Sequence, residues 1–131
     1  MSRELLDLAV LERKKYNDLN EVLDLTQQLG EALDRNDQVS ARMLIAMRQD
    51  PILHLEEVDR TAKARRETLS PEDQDRLAAL QAGSPPRDDG ERTYLEQSGR
   101  ARSLLERVVE LDRRISLRMA GNSSFYYQEK K

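Results

Sequence analysis

Apolar residues recur at intervals of three, four and seven along the first quarter of the chain. From Ser2 to about Leu33 the sequence contains no proline and a single glycine. The apolar positions of this segment are Leu5, Leu8, Ala9, Tyr16, Leu19, Val22, Leu23, Leu29 and Leu33. This spacing places them on one side of an α-helix. The sequence therefore predicts an amphipathic first helix of about nine turns, whose apolar stripe resembles a heptad seam.

A polar run, DRND at 34–37, interrupts this periodicity and predicts a tight helical hairpin. The Asp37 side chain can accept hydrogen bonds from the free N–H groups that begin the next helix. That second helix continues through Arg66, and proline at position 51 should kink or split it because proline lacks an N–H donor. Its predicted stripe is Val39, Met43, Leu44, Met47, Ile52, Leu55, Val58 and Ala62.

The segment SPED at 70–73 predicts the start of a short helix over 71–81. Ser70 is a favoured N-cap residue, and proline is favoured at the first helical position. The following segment, GSPPRDDG at 83–90, contains two glycines and two prolines, which predict a flexible loop.

A last long helix is predicted from Glu91 to about Ala120, with apolar residues at alternating spacings of three and four. We expect it to pack along most of its length against the first two helices. Gly121 suits a left-handed C-terminal cap, so the sequence predicts that the helix ends there. The C-terminal tail, 121–131, would then carry Phe125, Tyr126 and Tyr127 beyond the last helix.

These elements predict an all-α fold, an elongated antiparallel bundle of three long helices plus one short helix. Charged residues make up 36% of the chain and hydrophobic residues 37%, so each helix can bury only a narrow stripe. With 131 residues, the chain is expected to form a single domain over 1–120, followed by the tail.

Charge and hydropathy restrict the classes of partner. The net charge of −3 comes from acidic and basic residues mixed along the chain, which argues against a nucleic-acid surface. No segment has the form of a signal peptide or the length of a membrane span, so we expect a soluble cytoplasmic protein without membrane insertion. The absence of cysteine excludes disulfides and thiolate metal sites.

Catalytic residues are not evident. His54 is the only histidine, and no nucleophile, metal-ligand spacing or phosphate-binding loop accompanies it. We therefore expect neither catalysis nor a cofactor or metal. One alternative remains, because LLERVVELDRRISLRMA at 104–120 resembles the opening helix of the all-helical chorismate mutases. In that family two further helices follow and supply active-site residues, and they are not found after this segment.

Methionines on the predicted stripes have two interpretations. Met43, Met47 and Met119 could fill gaps in the core, or they could line a groove that accepts a partner's amphipathic helix, since Met side chains adapt to irregular surfaces.

The whole pattern resembles the bacterial flagellar export chaperones of the FlgN and FliT type. The matching features are the long first helix, the DRND hairpin, the charged run LEEVDRTAKARRE, the final helix SLLERVVELDRRISLRM and the tail GNSSFYY. The resemblance implies a chaperone that binds the C-terminal amphipathic helices of hook-filament junction or filament-cap proteins. It would deliver them to an export-gate protein.

In such a chaperone the last helix and the tail are expected to contact the partner. The candidate partner-binding residues are Met43, Met47, Leu105, Val108, Ile115, Met119, Phe125, Tyr126 and Tyr127. For Leu105, Val108, Ile115 and Met119 the alternative is a role in the protein's own core, and for the tail residues it is a frayed chain end. The alternative for the whole protein is a coiled-coil structural or adaptor module that pairs in a homodimer.

Overall fold

Four α-helices make up the fold. A computed structural model describes the backbone of residues 1–129 and the side chains of residues 1–121. The helices are α1 (Ser2–Asp34), α2 (Gln38–Glu67), α3 (Pro71–Gln81) and α4 (Asp89–Glu129), and the described backbone contains no strand. The predicted all-α bundle of three long helices and one short helix is confirmed.

The turn between α1 and α2 is closed by the residue that the sequence predicts. Asp37 caps α2, because its Oδ1 accepts a 3.0 Å hydrogen bond from the Ser40 N–H and its Oδ2 accepts a 2.6 Å hydrogen bond from the Ser40 hydroxyl. Asn36 adopts a left-handed conformation with φ 56°, which reverses the chain within three residues. A tight hairpin follows.

The first helix is the centre of the bundle, since α2 and α4 both pack along it and make few contacts with each other. Leu8 packs in a core cluster with Val58 of α2 and Tyr94 of α4. Leu29, near the C-terminal end of α1, packs in a cluster that contains Leu44 and Ile115. Along the chain, α4 therefore runs parallel to α1 and α2 runs antiparallel to both. The expectation that α4 packs along most of its length against both of the first two helices is corrected in this respect, since α4 packs mainly against α1.

Proline 51 does not split α2, which is one continuous helix through that position. Proline removes a single backbone hydrogen bond from the helix. Leu44 and Val58, which lie on the two sides of Pro51, are both buried in the core, and Pro51 is buried too. Tertiary packing on both sides of the proline thus keeps the two halves of α2 in one helix.

The short helix α3 begins as predicted and is docked on the bundle. The Ser70 hydroxyl accepts a 3.2 Å hydrogen bond from the Asp73 N–H, and Pro71 is the first helical residue. Leu77 and Leu80 are buried in the same cluster as Leu8. Helix α3 therefore covers apolar side chains at this end of the α1–α2 pair.

A buried carboxylate ties the loop between α3 and α4 to both helices. Glu91, with only 2% of its surface exposed, accepts hydrogen bonds from Arg76 at 2.7 and 3.1 Å. It also accepts them from Arg87, including its backbone N–H at 2.8 Å. The hydrogen bonds from Arg76, followed by those from Arg87, hold the pKa of Glu91 well below its usual value. Flexibility of 83–90 stays a prediction, although Arg76 also donates to the Pro85 carbonyl at 2.9 Å.

The predicted end of α4 is wrong, because the helix passes through Gly121 and ends at Glu129. A C-terminal glycine cap requires a positive φ, and among the described glycines only Gly83 has one. A glycine inside a helix costs about 1 kcal/mol relative to alanine, which a long helix tolerates. The segment after residue 120 therefore begins as a continuation of α4. The side chains of Phe125, Tyr126 and Tyr127 lie outside the described residues.

Candidate functional site

A groove runs between α2 and α4, with α1 as its floor. Its volume is about 460 Å³. We call it the α2/α4 groove. The lining residues are Glu12, Lys15 and Leu19 on α1, Leu55, Glu56, Asp59 and Arg66 on α2, Gln81 on α3, and Ser98, Ala101, Arg102 and Leu105 on α4. The groove exists because α2 and α4 each pack against α1 more closely than against each other.

The apolar part of the groove combines buried and exposed side chains. Leu19 and Ala101 are buried, and Leu55 is half-buried. Leu105, in contrast, is 44% exposed although it faces the groove from α4. Val109 lies one turn further along the same side of α4 and is also exposed. An unfilled apolar wall is thus present on α4.

The floor of the groove carries a buried carboxylate that is partly neutralised by a lysine. Lys15 Nζ lies 3.2 Å from Glu12 Oε1 and 3.3 Å from Asp59 Oδ1. Lys15 therefore links the floor to α2. At this level Tyr94 is fully buried, and its hydroxyl accepts a 3.1 Å hydrogen bond from Gln81. Burial, followed by the nearby charge of Glu12, raises the pKa of Tyr94.

Two arginines face the groove from opposite walls without an acidic partner. Arg66 on α2 is half-buried, and Arg102 on α4 is exposed. Among the side chains of residues 1–121, no carboxylate forms an ion pair with either guanidinium, whereas Lys15 in the same groove is paired twice. The lining carries three carboxylates, Glu12, Glu56 and Asp59, and three cations, Lys15, Arg66 and Arg102, so its formal charge is balanced.

The other end of the groove is bounded by an ion pair between the two walls. Arg48 Nη2 on α2 lies 2.6 Å from Asp112 Oδ1 on α4. The Arg48 side chain is only 13% exposed, and its Nε is buried with no hydrogen-bond partner among the described residues. The groove lining on α2 begins at Leu55, about two turns from Arg48, and extends to Arg66.

The predicted partner-binding residues occupy different environments. Leu105 lines the groove. Val108 and Ile115 are buried in core clusters, and Met119 is partly buried against the cluster that contains Ile115. In the monomer these three residues hold α4 on α1. Phe125, Tyr126 and Tyr127 cannot be placed, because their side chains lie outside the described residues.

Met43 and Met47 are exposed by 59% and 50%. The interpretation that they fill the core is therefore wrong, and neither lines the α2/α4 groove. Both lie on the solvent-facing side of α2. The apolar positions that the sequence predicts as one stripe are divided between this side and the buried side of the helix. Leu44, next to Met43, is on the buried side.

Sequence reasoning missed every polar residue of the groove, including Glu12, Arg66 and Arg102. In a chain with this many charges, a polar residue on an amphipathic helix is normally expected on the solvated side. The only sequence signal for Glu12 is its position between Leu8 and Leu19 on the stripe, four residues after the first of these.

The charged residues on which the alternative enzyme would depend do not line the α2/α4 groove, although Arg114 lines a separate cavity with Arg107 and Glu110. Arg113 and Arg114, from the segment that resembles a chorismate mutase, are exposed and bind Glu110 at 3.0 to 3.2 Å. His54 is about half-exposed, and its Nδ1 lies 2.6 Å from Asp18 Oδ2, where the pair joins α2 to α1. His54, Arg113 and Arg114 do not line the α2/α4 groove.

The described part of the chain has neither a metal-binding cluster nor a membrane-spanning helix. No cluster of three or more His, Asp or Glu residues there could hold a metal ion. No helix in that part is both long and apolar enough to cross a bilayer.

Comparison with known proteins gave no match: no family model, no curated protein and no solved structure is similar to the chain.

Proposed function

We propose that the protein is a non-enzymatic helical chaperone or adaptor that binds an amphipathic helix of a partner protein in the α2/α4 groove. The observation that supports this most directly is Leu105, which lines the open groove and is 44% exposed, with the exposed Val109 one turn further along α4 beyond the lining. Exposed apolar surface beside a concave site is typical of interaction sites.

The dimensions of the groove suit a helix. Along α2, the groove lining from Leu55 to Arg66 corresponds to about 17 Å, or roughly three helical turns. A partner helix lying over α1 between α2 and α4 would complete a four-helix arrangement. Its residues at i, i+3 or i+4 and i+7 would contact Leu55, Leu105 and Val109, which is how amphipathic helices bind in grooves.

Within this class, the flagellar export chaperones are the narrower proposal. The basis is the resemblance in helix pattern, so the partner would be the C-terminal helix of a hook-filament junction or filament-cap protein. The protein would hold that helix in the cytoplasm and deliver it to the export gate. Among the candidate contacts, Leu105 has the exposure that this role requires.

A pair of substitutions on α4 tests the groove. Leu105→Asp puts a charge on the groove wall, whereas Leu117→Asp changes a leucine that is 61% exposed and does not line the groove. The probe is a labelled C-terminal helical peptide of a hook-filament junction protein, measured by fluorescence anisotropy. We expect Leu105→Asp to weaken binding by at least about tenfold, which corresponds to about 1.4 kcal/mol, and Leu117→Asp to leave it unchanged.

Two results would contradict the proposal at different levels. If this peptide does not bind but other amphipathic helices do, in a way that depends on Leu105, the flagellar assignment fails and the adaptor remains. If no amphipathic helix binds, or if both aspartate variants weaken binding equally, the groove is not the site.

A second candidate function, a homodimeric coiled coil, is favoured by the outer side of α2. Exposed residues recur there at alternating spacings of four and three: Val39, Met43, Ala46, Asp50, Leu53, Glu57, Arg60 and Ala64. This is the spacing of a coiled-coil seam. In a parallel pair, each charged residue would face its own copy, so the charges favour an antiparallel dimer.

The homodimer is tested by molar mass in analytical ultracentrifugation. A dimer that becomes monomeric in the double variant Met43→Lys and Leu53→Lys would support the coiled coil. A monomer at high concentration would exclude it.

A further inference from the structure

The side of α1 that faces away from α2 and α4 carries an exposed strip along nearly the whole helix. Because an α-helix has about 3.6 residues per turn, positions spaced by three and four fall on one side of it. Nine such positions are exposed: Arg3, Leu6, Val10, Arg13, Asn17, Glu21, Asp24, Gln28 and Glu31. We call them the α1 outer strip. It lies on the opposite side of α1 from Glu12 and Leu19, which line the α2/α4 groove.

The α1 outer strip separates its charges by sign about Asn17. Before Asn17 the strip has two cations and no anion, and the exposed Lys14 lies beside it. After Asn17 the strip has three anions and no cation: Glu21, Asp24 and Glu31. The exposed surface of α4 is different, because Arg113 and Arg114 there lie within one turn of Glu110 and contact it.

Two further exposed acids in the first half of α1 lie outside the strip. Glu4 contacts the amino terminus at 3.4 Å, and Asp7 contacts Arg65 of α2 at 3.2 Å. They therefore belong to the side of α1 that meets α2, and they do not reverse the sign of the charge on the strip.

This order of charge does not stabilise α1 itself. A helix dipole favours anions near the N-terminus and cations near the C-terminus. The last turn of α1 has no basic residue and contains Glu31 and Asp34. Arg118 of α4 compensates Asp34 at 2.7 Å, whereas Glu31 lies on the strip. Only a second molecule with the opposite order of charge would gain from the separation.

The strip is complementary to a second copy of itself in the antiparallel orientation. Arg13 and Glu21 lie four residues before and after Asn17, and Arg3 and Glu31 lie fourteen residues before and after it. A two-fold axis at Asn17 would therefore bring each of these arginines opposite a glutamate of the other copy. In a parallel pair like charges would face each other, which is unfavourable.

We propose that the α1 outer strip is the interface of an antiparallel homodimer whose two-fold axis passes through Asn17. Arg3 faces the partner's Glu31, and Arg13 faces the partner's Glu21. The contact also covers Leu6 and Val10, which are 61% and 49% exposed in the single chain. The α2/α4 groove of each copy stays open on the other side of α1. The dimer does not depend on the proposed function, and it would provide that function with two binding sites.

Reversal of single charges tests the pairing. Sedimentation equilibrium at about 0.01 M salt, where charges are weakly screened, measures the dissociation constant of the dimer. We expect Arg13→Glu and Glu21→Arg each to raise it by at least about tenfold, because like charges then face each other. An equimolar mixture of the two variants should recover the dimer, since each altered residue then faces the opposite charge. Lys63→Glu is the control, because Lys63 is an exposed cation of α2 outside the strip.

Cysteine substitution tests the position of the axis, since the chain contains no cysteine. A disulfide requires Cα atoms roughly 4 to 7 Å apart. Asn17→Cys lies on the axis and should crosslink two copies under oxidising conditions. Glu31→Cys lies fourteen residues from the axis and should remain uncrosslinked on a denaturing gel.

Any of three results would overturn this interface. A wild type that stays monomeric at high concentration and low salt would show that the strip is an ordinary solvated surface. A dimer that Arg13→Glu leaves intact, but that Met43→Lys with Leu53→Lys dissociates, would lie on the outer side of α2. Equal crosslinking of the two cysteine variants would exclude an axis at Asn17. Peptide binding in the α2/α4 groove is measured separately, so failure of the dimer and failure of the proposed function are distinguishable.

Discussion

The Arg48 guanidinium on α2 donates a 2.6 Å hydrogen bond to the Asp112 carboxylate on α4 and joins the two walls of the groove. Asp112→Ala leaves this nearly buried cation without its acceptor. We expect the variant to lose about 2 kcal/mol of the free energy of unfolding, the usual scale for a hydrogen bond to a charged group, as measured by urea denaturation. Glu110→Gln, which removes an exposed carboxylate two residues away, should cause no measurable loss. Equal losses would show that the Arg48 pair is solvated like a surface pair.

The free energy of unfolding should depend on pH in the acidic range because of Glu91. Its pKa is lowered in the folded state by the hydrogen bonds from Arg76 and Arg87. The stabilisation is therefore complete above the unfolded-state pKa of about 4.3 and is lost as the pH falls below it towards the folded-state pKa. We expect Glu91→Gln to be less stable than the wild type at pH 7, with a smaller difference at pH 3, in urea titrations at each pH.

Asp89→Asn is the control for this pH dependence, because Asp89 is almost fully exposed and pairs only with Arg92. Its stability should follow that of the wild type at every pH. A constant difference between Glu91→Gln and the wild type across the acidic range would contradict a lowered pKa.

Glycines in α4 and in the loop before it should respond in opposite directions to alanine. Gly99 lies inside α4, and an added Cβ would meet no atom within 4 Å. Gly99→Ala should raise the free energy of unfolding by about 1 kcal/mol, because alanine favours the helix. Gly83 has φ 115°, so Gly83→Ala should lower it by about 1 to 2 kcal/mol. Thermal unfolding measures both.

A third glycine provides a matched comparison inside a helix. A Cβ on Gly30 would lie 3.4 Å from Ile115 Cδ1, where α1 and α4 meet. Gly30→Ala should therefore gain less stability than Gly99→Ala. A larger gain at Gly30 would mean that the two helices are less closely packed there.

Neighbouring residues on α2 should differ sharply in their effect on stability. Leu44 is buried and Met43 is 59% exposed. Leu44→Ala should cost about 3 kcal/mol, as for other buried leucines, whereas Met43→Gln should change the free energy of unfolding by less than about 0.5 kcal/mol. Denaturation of dilute protein measures both effects without a contribution from dimers. A large loss of stability in Met43→Gln would show that Met43 contributes to the core.

Local signals predicted most of the helices and their starts correctly. Asp37 and Ser70 cap α2 and α3 because capping depends on a side chain and an N–H three residues away. The end of α4 was predicted wrongly from Gly121, since a glycine permits a left-handed cap but does not require it. Proline 51 likewise permits a break but does not require one, and α2 is not split there because packing on both sides of the proline outweighs one lost hydrogen bond. A kink at Pro51 stays a prediction.

The sequence alone determined the all-α class, the number of helices and the turn between α1 and α2, because periodicity and capping act within a few residues. Only the tertiary structure decided which apolar residues are covered. Val108 and Ile115 are buried while Met43 and Leu105 are exposed, although all four have helical spacing. Burial depends on which side of each helix meets α1, and the pairing of Arg48 with Asp112 depends on two helices that are distant in the chain. Contacts of this kind follow from packing geometry, which a pattern within one helix does not contain.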